Sequence, residues 1–256
     1  MDVKQGIKKQ FGRSSNDYVS SVIHRKGEDL DMMVEMAQVQ GEEKLLDVAT
    51  GGGHTANAFA PLVQTVTAMD LTPEMLTAAK EFITEKGHSN VAFVEGDAEK
   101  MPFSDESFDI VTCRIAPHHF PNIHDFISEA HRVLKPGGQF ILDDNVAPED
   151  AAFDQFYNSV EKMRDYSHYR AWKKTEWVHM LELNQFEIQA FRRFEKQFEF
   201  ENWCDRMHLS DAEKQVLNSF MIRSSEKIKH QFRLQISKDQ VETFHGEALL
   251  LKATKR

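Results

Sequence analysis

Cysteine is scarce in this chain: two residues, Cys113 and Cys204, among 256. Two thiols cannot build a disulfide framework, and Cys113 sits in an apolar run that predicts a buried thiol. That pattern points to a reducing compartment, and the expected location is cytoplasmic. No apolar stretch approaches the ~20 residues that cross a membrane. The start, Met1-Asp2-Val3-Lys4-Gln5, carries no apolar signal core. Neither an integral membrane segment nor a secretion signal is therefore expected. Positive charge is short as well. There are 31 Lys and Arg against 41 Asp and Glu, a formal net charge of −10. Such a surface disfavours nonspecific binding to nucleic acid or to an anionic membrane, and its plainest reading is solubility. Internal repeats and low-complexity linkers are missing too.

What is present is a hydrophobic fraction of 41%, enough for one sizeable core. Glycine numbers only 12, yet three stand together in Leu45-Leu46-Asp47-Val48-Ala49-Thr50-Gly51-Gly52-Gly53. A short apolar run ends at an acid, turns through glycines and enters helix-favouring residues from Thr55 to Phe59. Strand, glycine turn and helix in that order form the nucleotide-cradling corner of a doubly wound α/β fold. Glycine is needed there because a Cβ would keep the backbone away from a ligand.

Short apolar runs bounded by turn residues predict buried parallel strands at Lys44–Ala49, Thr65–Asp70, Val91–Glu95, Phe108–Cys113 and Gln139–Asp143. Helices are predicted between them. Thr72 as N-cap, Pro73 at the first helical position and Glu74 in the first turn open one, with Met75, Ala79, Phe82 and Ile83 as its apolar stripe and Gly87 as its stop. Another carries Ile123, Phe126, Ile127, Ala130, Val133 and Leu134, and Lys135-Pro136-Gly137-Gly138 ends it. Upstream, Asp17–Gln38 reads as helix. Downstream, helix is expected at Ala151–His168, Glu176–Leu183 and Asn202–Gln231, with strands near Phe186–Phe194 and at Glu247–Ala253. Strand–helix–strand alternation implies right-handed crossovers and one parallel sheet.

Ligands in such a sheet sit at the carboxyl ends of the strands. Asp70 ends the second strand, where a carboxylate can accept from a ribose diol. Asp97 follows the third, where it can accept from an exocyclic amine, with the Ala98 N–H serving a ring nitrogen. Asp47 either meets an ammonium group or braces the glycine loop. His118 and His119 are adjacent, so one at most is expected to face the pocket, and imidazole can take a proton near neutrality. With His124 they follow no standard metal-ligand spacing, and no metal is expected. Of Asp143 and Asp144, one is expected at the substrate mouth and the other in the structure. Tyr157, Tyr166, Trp172, Trp177 and Trp203 are read mostly as core.

The run Gly96-Asp97-Ala98-Glu99-Lys100-Met101-Pro102-Phe103-Ser104-Asp105-Glu106-Ser107-Phe108-Asp109, joined to Glu129-Ala130-His131-Arg132-Val133-Leu134-Lys135-Pro136-Gly137-Gly138, resembles the class I S-adenosylmethionine-dependent methyltransferases. Within them the chain is similar to the ubiquinone/menaquinone C-methyltransferase branch and to bacillary small-molecule methyltransferases. The likeness spans about residues 17–150. It departs where Ala49 replaces the usual glycine, which matters if that position needs a positive φ. The resemblance implies an α/β, Rossmann-like doubly wound sheet, mostly parallel with a final antiparallel strand. It implies one domain over 1–256, with a helical lid at 1–40, a cofactor-binding core at 41–150, and substrate-covering helices with the last two strands at 151–256. S-adenosyl-L-methionine is the implied cofactor and a small-molecule methyl acceptor, with a quinone precursor as the candidate, the implied partner. The implied cofactor wall comprises Tyr18, His24, Asp47, Ala49, Thr50, Gly51, Gly53, Asp70, Leu71, Met75, Gly96, Asp97, Ala98 and Arg114. Candidate catalytic groups are His118, His119 and Asp144. Two alternatives stand. One is a nicotinamide-dependent dehydrogenase, since Gly51–Ala56 also fits a dinucleotide fingerprint with Asp70 at an acceptable distance. The other is a non-enzymatic cofactor-binding protein. The oligomeric state is not specified.

Overall fold

The computed structural model describes Lys4 and residues 28–256. The expected helix over Asp17–Gln38 is seen in its second part as α1 (Glu28–Ala37), and the remainder lies outside the described residues. β1 (Lys44–Val48), β2 (Thr65–Asp70), β3 (Val91–Glu95) and β4 (Phe108–Arg114) match the expected strands within a residue. Between them run α2 (His54–Phe59) and α3 (Pro73–Glu85); α4 (Ile123–Val133) leads into β5 (Leu134–Val146). The sheet order is β3-β2-β1-β4-β5, all parallel, continued by β8 (Gln240–Lys255), antiparallel to β5, and then by β6 (Phe186–Glu199), antiparallel to β8 and so parallel to the rest.

The pleat sorts β1 into two cores. Leu45 faces one cluster with Met33, Phe59, Val66, Phe82 and Ile141, under α1, α2 and α3. Leu46 and Val48 face the other, with Phe126, Ala130, Phe140 and Trp177 under α4 and α6 (Lys174–Leu183). Alternation along an extended strand produces this division. Fully burying each of Phe59, Phe126 and Phe140 contributes about 1.5–3 kcal/mol. The α3 stripe is buried as its 3.6-residue period requires, with Met75, Ala79, Phe82 and Ile83 inward. Its N-cap Thr72 makes no side-chain cap bond; its N–H is taken by Asp70 instead.

Lys135–Gly138 does not stop α4 as a free turn. It lies inside the span of β5, where Phe108 pairs with Leu134 and regular pairing resumes at Ile110 with Gln139. The sequence signal for a turn appears as a bulge, with Gly137 at φ 76°.

The C-terminal part departs further from expectation. β6 and β8 pair from Phe186↔Lys255 to Glu199↔Thr243, past the end of β5, where Val146 meets Glu247. A short β7 (Gln235–Ser237) joins the free end of β8. The helical stretch expected over Asn202–Gln231 is three helices: α7 (Phe200–Asp205), α8 (Asp211–Ile222) and α9 (Glu226–Gln231). His208 at φ 55° breaks the first gap, Ser210 and Glu213 form a capping box, and Ser225 caps the last helix. With α5 (Ala151–Arg164) they bury a third cluster around Trp203, Phe244 and Tyr157. Trp177, Trp203 and Tyr157 are buried and Trp172 packs partly buried on the core, whereas Tyr166 is exposed. No helix among the described residues is long and apolar enough to cross a membrane.

Candidate functional site

The carboxyl ends of β1, β2, β3 and β4 open onto a cavity, where a sheet of this kind binds its ligands. Asp47, Ala49, Thr50, Gly51, Asp70, Leu71, Met75, Gly96, Asp97, Ala98 and Arg114 line it, as expected from the sequence. Gly53 does not. It caps α2 at φ 80°, and a Cβ there would lie 3.0 Å from Ala79 and Ile83, so its role is close packing of loop on helix. Gly51 at φ 53° has open space where a Cβ would project, which suits a backbone that must meet a ligand. Tyr18 and His24 lie outside the described residues.

Asp70 ties this wall together. Its two oxygens accept from Gly51 N at 2.8 Å and Thr72 N at 2.9 Å. Burial raises its pKa against those bonds. Asp47 accepts from the Thr50 hydroxyl at 2.6 Å and the Thr112 hydroxyl at 2.8 Å. It is buried, and burial pushes its carboxyl up to about 6. Of the two readings of Asp47, bracing the loop is the one its bonds describe. Asp97 accepts from Glu99 N and forms an ion pair with Lys4 at 2.6 Å; Glu99 is 2.5 Å from the same ammonium. An N-terminal lysine thus stands at the carboxylate expected to read an amine.

Ala49 adopts φ 53°. The departure from glycine therefore falls at a position that does use the left-handed region. Ile115, on the same wall after β4, also holds φ 53°. Such angles in non-glycine residues concentrate at functional sites.

Arg114 reaches the pocket, but its guanidinium turns to α1. Its Nε lies 2.8 Å from Asp29 Oδ2 and 3.5 Å from Asp143 Oδ2. Asp143 faces the α1 side of the sheet, and burial raises its pKa to about 8, leaving Asp29 as the anion of the group. Its neighbour Asp144 points to the opposite face, as strand alternation dictates. There Asp144 accepts from His118 N at 2.9 Å and holds His118 Nδ1 at 2.6 Å. Neither aspartate lines the cavity.

Of the three candidate catalytic groups, His119 alone lines the cavity. His118 and Asp144 stand behind it. The histidine rings are 4.1 Å apart. Burial pulls His118 down, yet the Asp144 carboxylate outweighs it and raises the pKa. Burial and the positive charge on His118 lower His119 to about 4. Two adjacent imidazoles are thereby pushed in opposite directions, His118 toward its charged form and His119 toward its neutral form, the kind of separation that assigns acid and base roles. His168, whose ring lies 5.6 Å from His118, is likewise driven down by burial and by its charged neighbours.

Ile115 and Ala116 line the cavity as part of the loop-facing stretch Arg114–His119, and the residues that the sequence reading missed include Glu99, Phe120 and Pro121. The last two directly follow the His-His pair, so that loop is the available signal.

The methyltransferase domain family matches residues 46–142. The chain is 37% identical over 248 residues to an uncharacterized methyltransferase, YcgJ, of Bacillus subtilis, covering 96% of this chain and 98% of that one. The crystal structure of a putative methyltransferase from Bacillus halodurans superposes with a TM-score of 0.88 at 53% identity, covering 90% of this chain and 99% of its own. The demethylmenaquinone methyltransferase of Chlorobaculum tepidum is 41% identical over 123 residues, 47% of this chain and 49% of that one. The fold and the pocket define a Rossmann-like methyltransferase. The chain belongs to the class I S-adenosylmethionine-dependent methyltransferase family. The dehydrogenase alternative fails on topology, because the strand beside β5 is antiparallel β8 where a dinucleotide fold would add a sixth parallel strand.

Proposed function

We propose that this protein transfers a methyl group from S-adenosylmethionine to a small-molecule acceptor bound against the His119–Pro121 side of the cavity. The observation that carries this reading is the Asp70 bridge: a buried carboxylate tying Gly51 N to Thr72 N at the open end of β2. There it serves the ribose hydroxyls, while Gly51 and Ala49 line the methionine part and Asp97 with Ala98 reads the adenine edge. Bound there, the cofactor supplies a methyl group already activated on a sulfonium. The chain's own work is to hold, orient and exclude water. No residue need act as nucleophile, and His119 takes a proton if the acceptor carries one. Residues 1–40 act as the lid, a reading supported by Lys4 at Asp97 and by Asp29 at Arg114. Residues 151–256 cover the acceptor. A quinol precursor is the acceptor suggested by the likeness to the demethylmenaquinone enzyme. That likeness covers only 47% of this chain.

A thermal-shift comparison of S-adenosylhomocysteine with NAD and NADP tests the reading. At a hundredfold over its dissociation constant a ligand adds about 2.7 kcal/mol, and S-adenosylhomocysteine alone is expected to stabilise. A shift with a nicotinamide nucleotide instead would overturn the cofactor assignment.

A further inference from the structure

A second carboxylate stands behind His119. Asp165, in the turn after α5, accepts the Ser167 hydroxyl at 2.5 Å and the Ser167 N–H at 2.8 Å. Ser167 Oγ is also 3.2 Å from His119 Nδ1. A serine hydroxyl has one proton to give. With that proton directed to Asp165, the imidazole is the donor in its own contact with Ser167. Nδ1 then carries the hydrogen and Nε2 the lone pair. Asp165 Oδ2 lies 4.0 Å from Nε2, so a proton arriving there would create an imidazolium beside a carboxylate already in place. A preorganised carboxylate of this kind orients a histidine base and stabilises its charged form. His119, Ser167 and Asp165 are all buried, where water screens such a charge little.

We propose that Ser167 and Asp165 are positioning residues for His119, fixing the Nδ1–H tautomer so that Nε2 takes a proton from the methyl acceptor. The inference rests on the methyl-transfer reading of the same pocket. In the step, the acceptor's O–H or C–H bond breaks, its electron pair stays with the acceptor, and the proton passes to Nε2; the imidazolium later releases it to water. The acceptor class is one with an ionisable proton on the atom to be methylated: a phenol, an enol or a carbon acid. The groups around His119 are consistent with this role. His118, from the same turn, is paired with Asp144 of β5, and burial together with His118 lowers the His119 pKa. Asp165, from the turn after α5, favours the charged form that the step creates. His168, from that same turn, is itself held neutral by burial.

Nitrogen-15 NMR of the imidazoles in the full-length protein, with and without S-adenosylhomocysteine, tests the tautomer directly. His119 is expected neutral at pH 7 with its hydrogen on Nδ1. Ser167→Ala is expected to shift the tautomer toward Nε2–H, and Ser167→Thr, which keeps the hydroxyl, to retain it. Asp165→Asn keeps an acceptor for Ser167 but removes the charge, and is expected to lower the pH at which His119 titrates. An Nε2–H tautomer in the wild type, or a tautomer unmoved by Ser167→Ala, overturns the proposal, as does an unmoved titration in Asp165→Asn. A purely structural role would lower the melting temperature of Ser167→Ala without moving the tautomer. Calorimetry with S-adenosylhomocysteine separates the two readings. If the wild type fails to bind it, the methyl-transfer reading and the acceptor's part in the step fall together, while the NMR result judges the tautomer by itself.

Discussion

The cavity has two walls built on different physics. On the glycine-loop side, Asp47 and Asp70 are buried carboxylates satisfied by neutral donors, the hydroxyls of Thr50 and Thr112 and the N–H groups of Gly51 and Thr72. On the histidine side, Asp144 and Asp165 face imidazoles or the serine that touches one. The first wall is a cradle whose carboxylates are held in place by neutral donors. The second holds titratable groups in opposed states, with His118 raised and His119 lowered. A site that binds a preformed leaving group needs the first kind of wall. A site that disposes of a proton needs the second.

Breaking the second wall gives the largest expected effect. Asp144→Ala leaves His118 buried without its carboxylate, and removing one partner of such a pair costs about 3–5 kcal/mol. The effect depends on pH in a defined direction. His118 is raised above 6.5, so the stability it gains from Asp144 is fully present below pH 6.5 and is lost as pH rises through its folded pKa. Denaturant unfolding of wild type and variant at pH 6 and pH 9 is expected to show a smaller gap at the higher pH. Equal gaps would mean that His118 is not charged in the folded protein. His119 acts in the opposite sense, because its lowered pKa removes stability as pH falls from 6.5 toward about 4. A wild-type curve that falls on the acid side as well is the expected signature.

Breaking the first wall is expected to cost affinity more than stability. Asp70→Ala removes the acceptor for Gly51 N and Thr72 N together with the assigned ribose contact. Hydrogen bonds to a charged group are worth about 1.5–3 kcal/mol, so S-adenosylhomocysteine should bind roughly 10- to 100-fold more weakly by calorimetry. Unchanged affinity would remove Asp70 from the cofactor site and leave it as a brace. Asp144→Ala, by contrast, is expected to keep that affinity. If both variants lost it equally, the distinction between the walls would collapse.

The two walls also differ in how far the sequence announced them. The cradle is local: each strand end carries its acid or glycine within a few residues, so Asp47, Gly51, Asp70 and Asp97 are legible in the sequence. The packing of Gly53 against Ala79 and Ile83 is not, because it depends on how α3 lies over the loop. The histidine wall is assembled from β4's loop, the end of β5 and the turn after α5. His118, His119 and Asp144 stand out in the sequence, but which of them faces the cavity does not, nor do Ser167 and Asp165 behind them. The same limit applies to the β6–β8 ribbon. β6 alternates half-buried and exposed side chains rich in charge, as in Arg192, Arg193, Glu195 and Lys196, so no apolar run marks its length. Its pairing with residues some fifty positions away decides it.

The cradle can be sharpened as well as broken, and Ala49 is where. Its φ of 53° places a Cβ in the left-handed region, which costs an L-residue roughly 1–2 kcal/mol. Glycine adopts that angle freely but loses about 0.5–1 kcal/mol more backbone entropy on folding than alanine. The difference predicts that Ala49→Gly stabilises the protein by about 0.5–1 kcal/mol, a rise of roughly 1–4 °C in melting temperature for a chain of this size. The gain should appear without any change at Ile115, whose equal φ lies on a different strand end. Melting curves measured by circular dichroism decide it. A variant that melts lower than the wild type would show that the alanine methyl packs usefully against the core around Val48 and Cys113, where Ala49 lies partly buried. The cradle would then be held by side-chain contact as well as by backbone geometry.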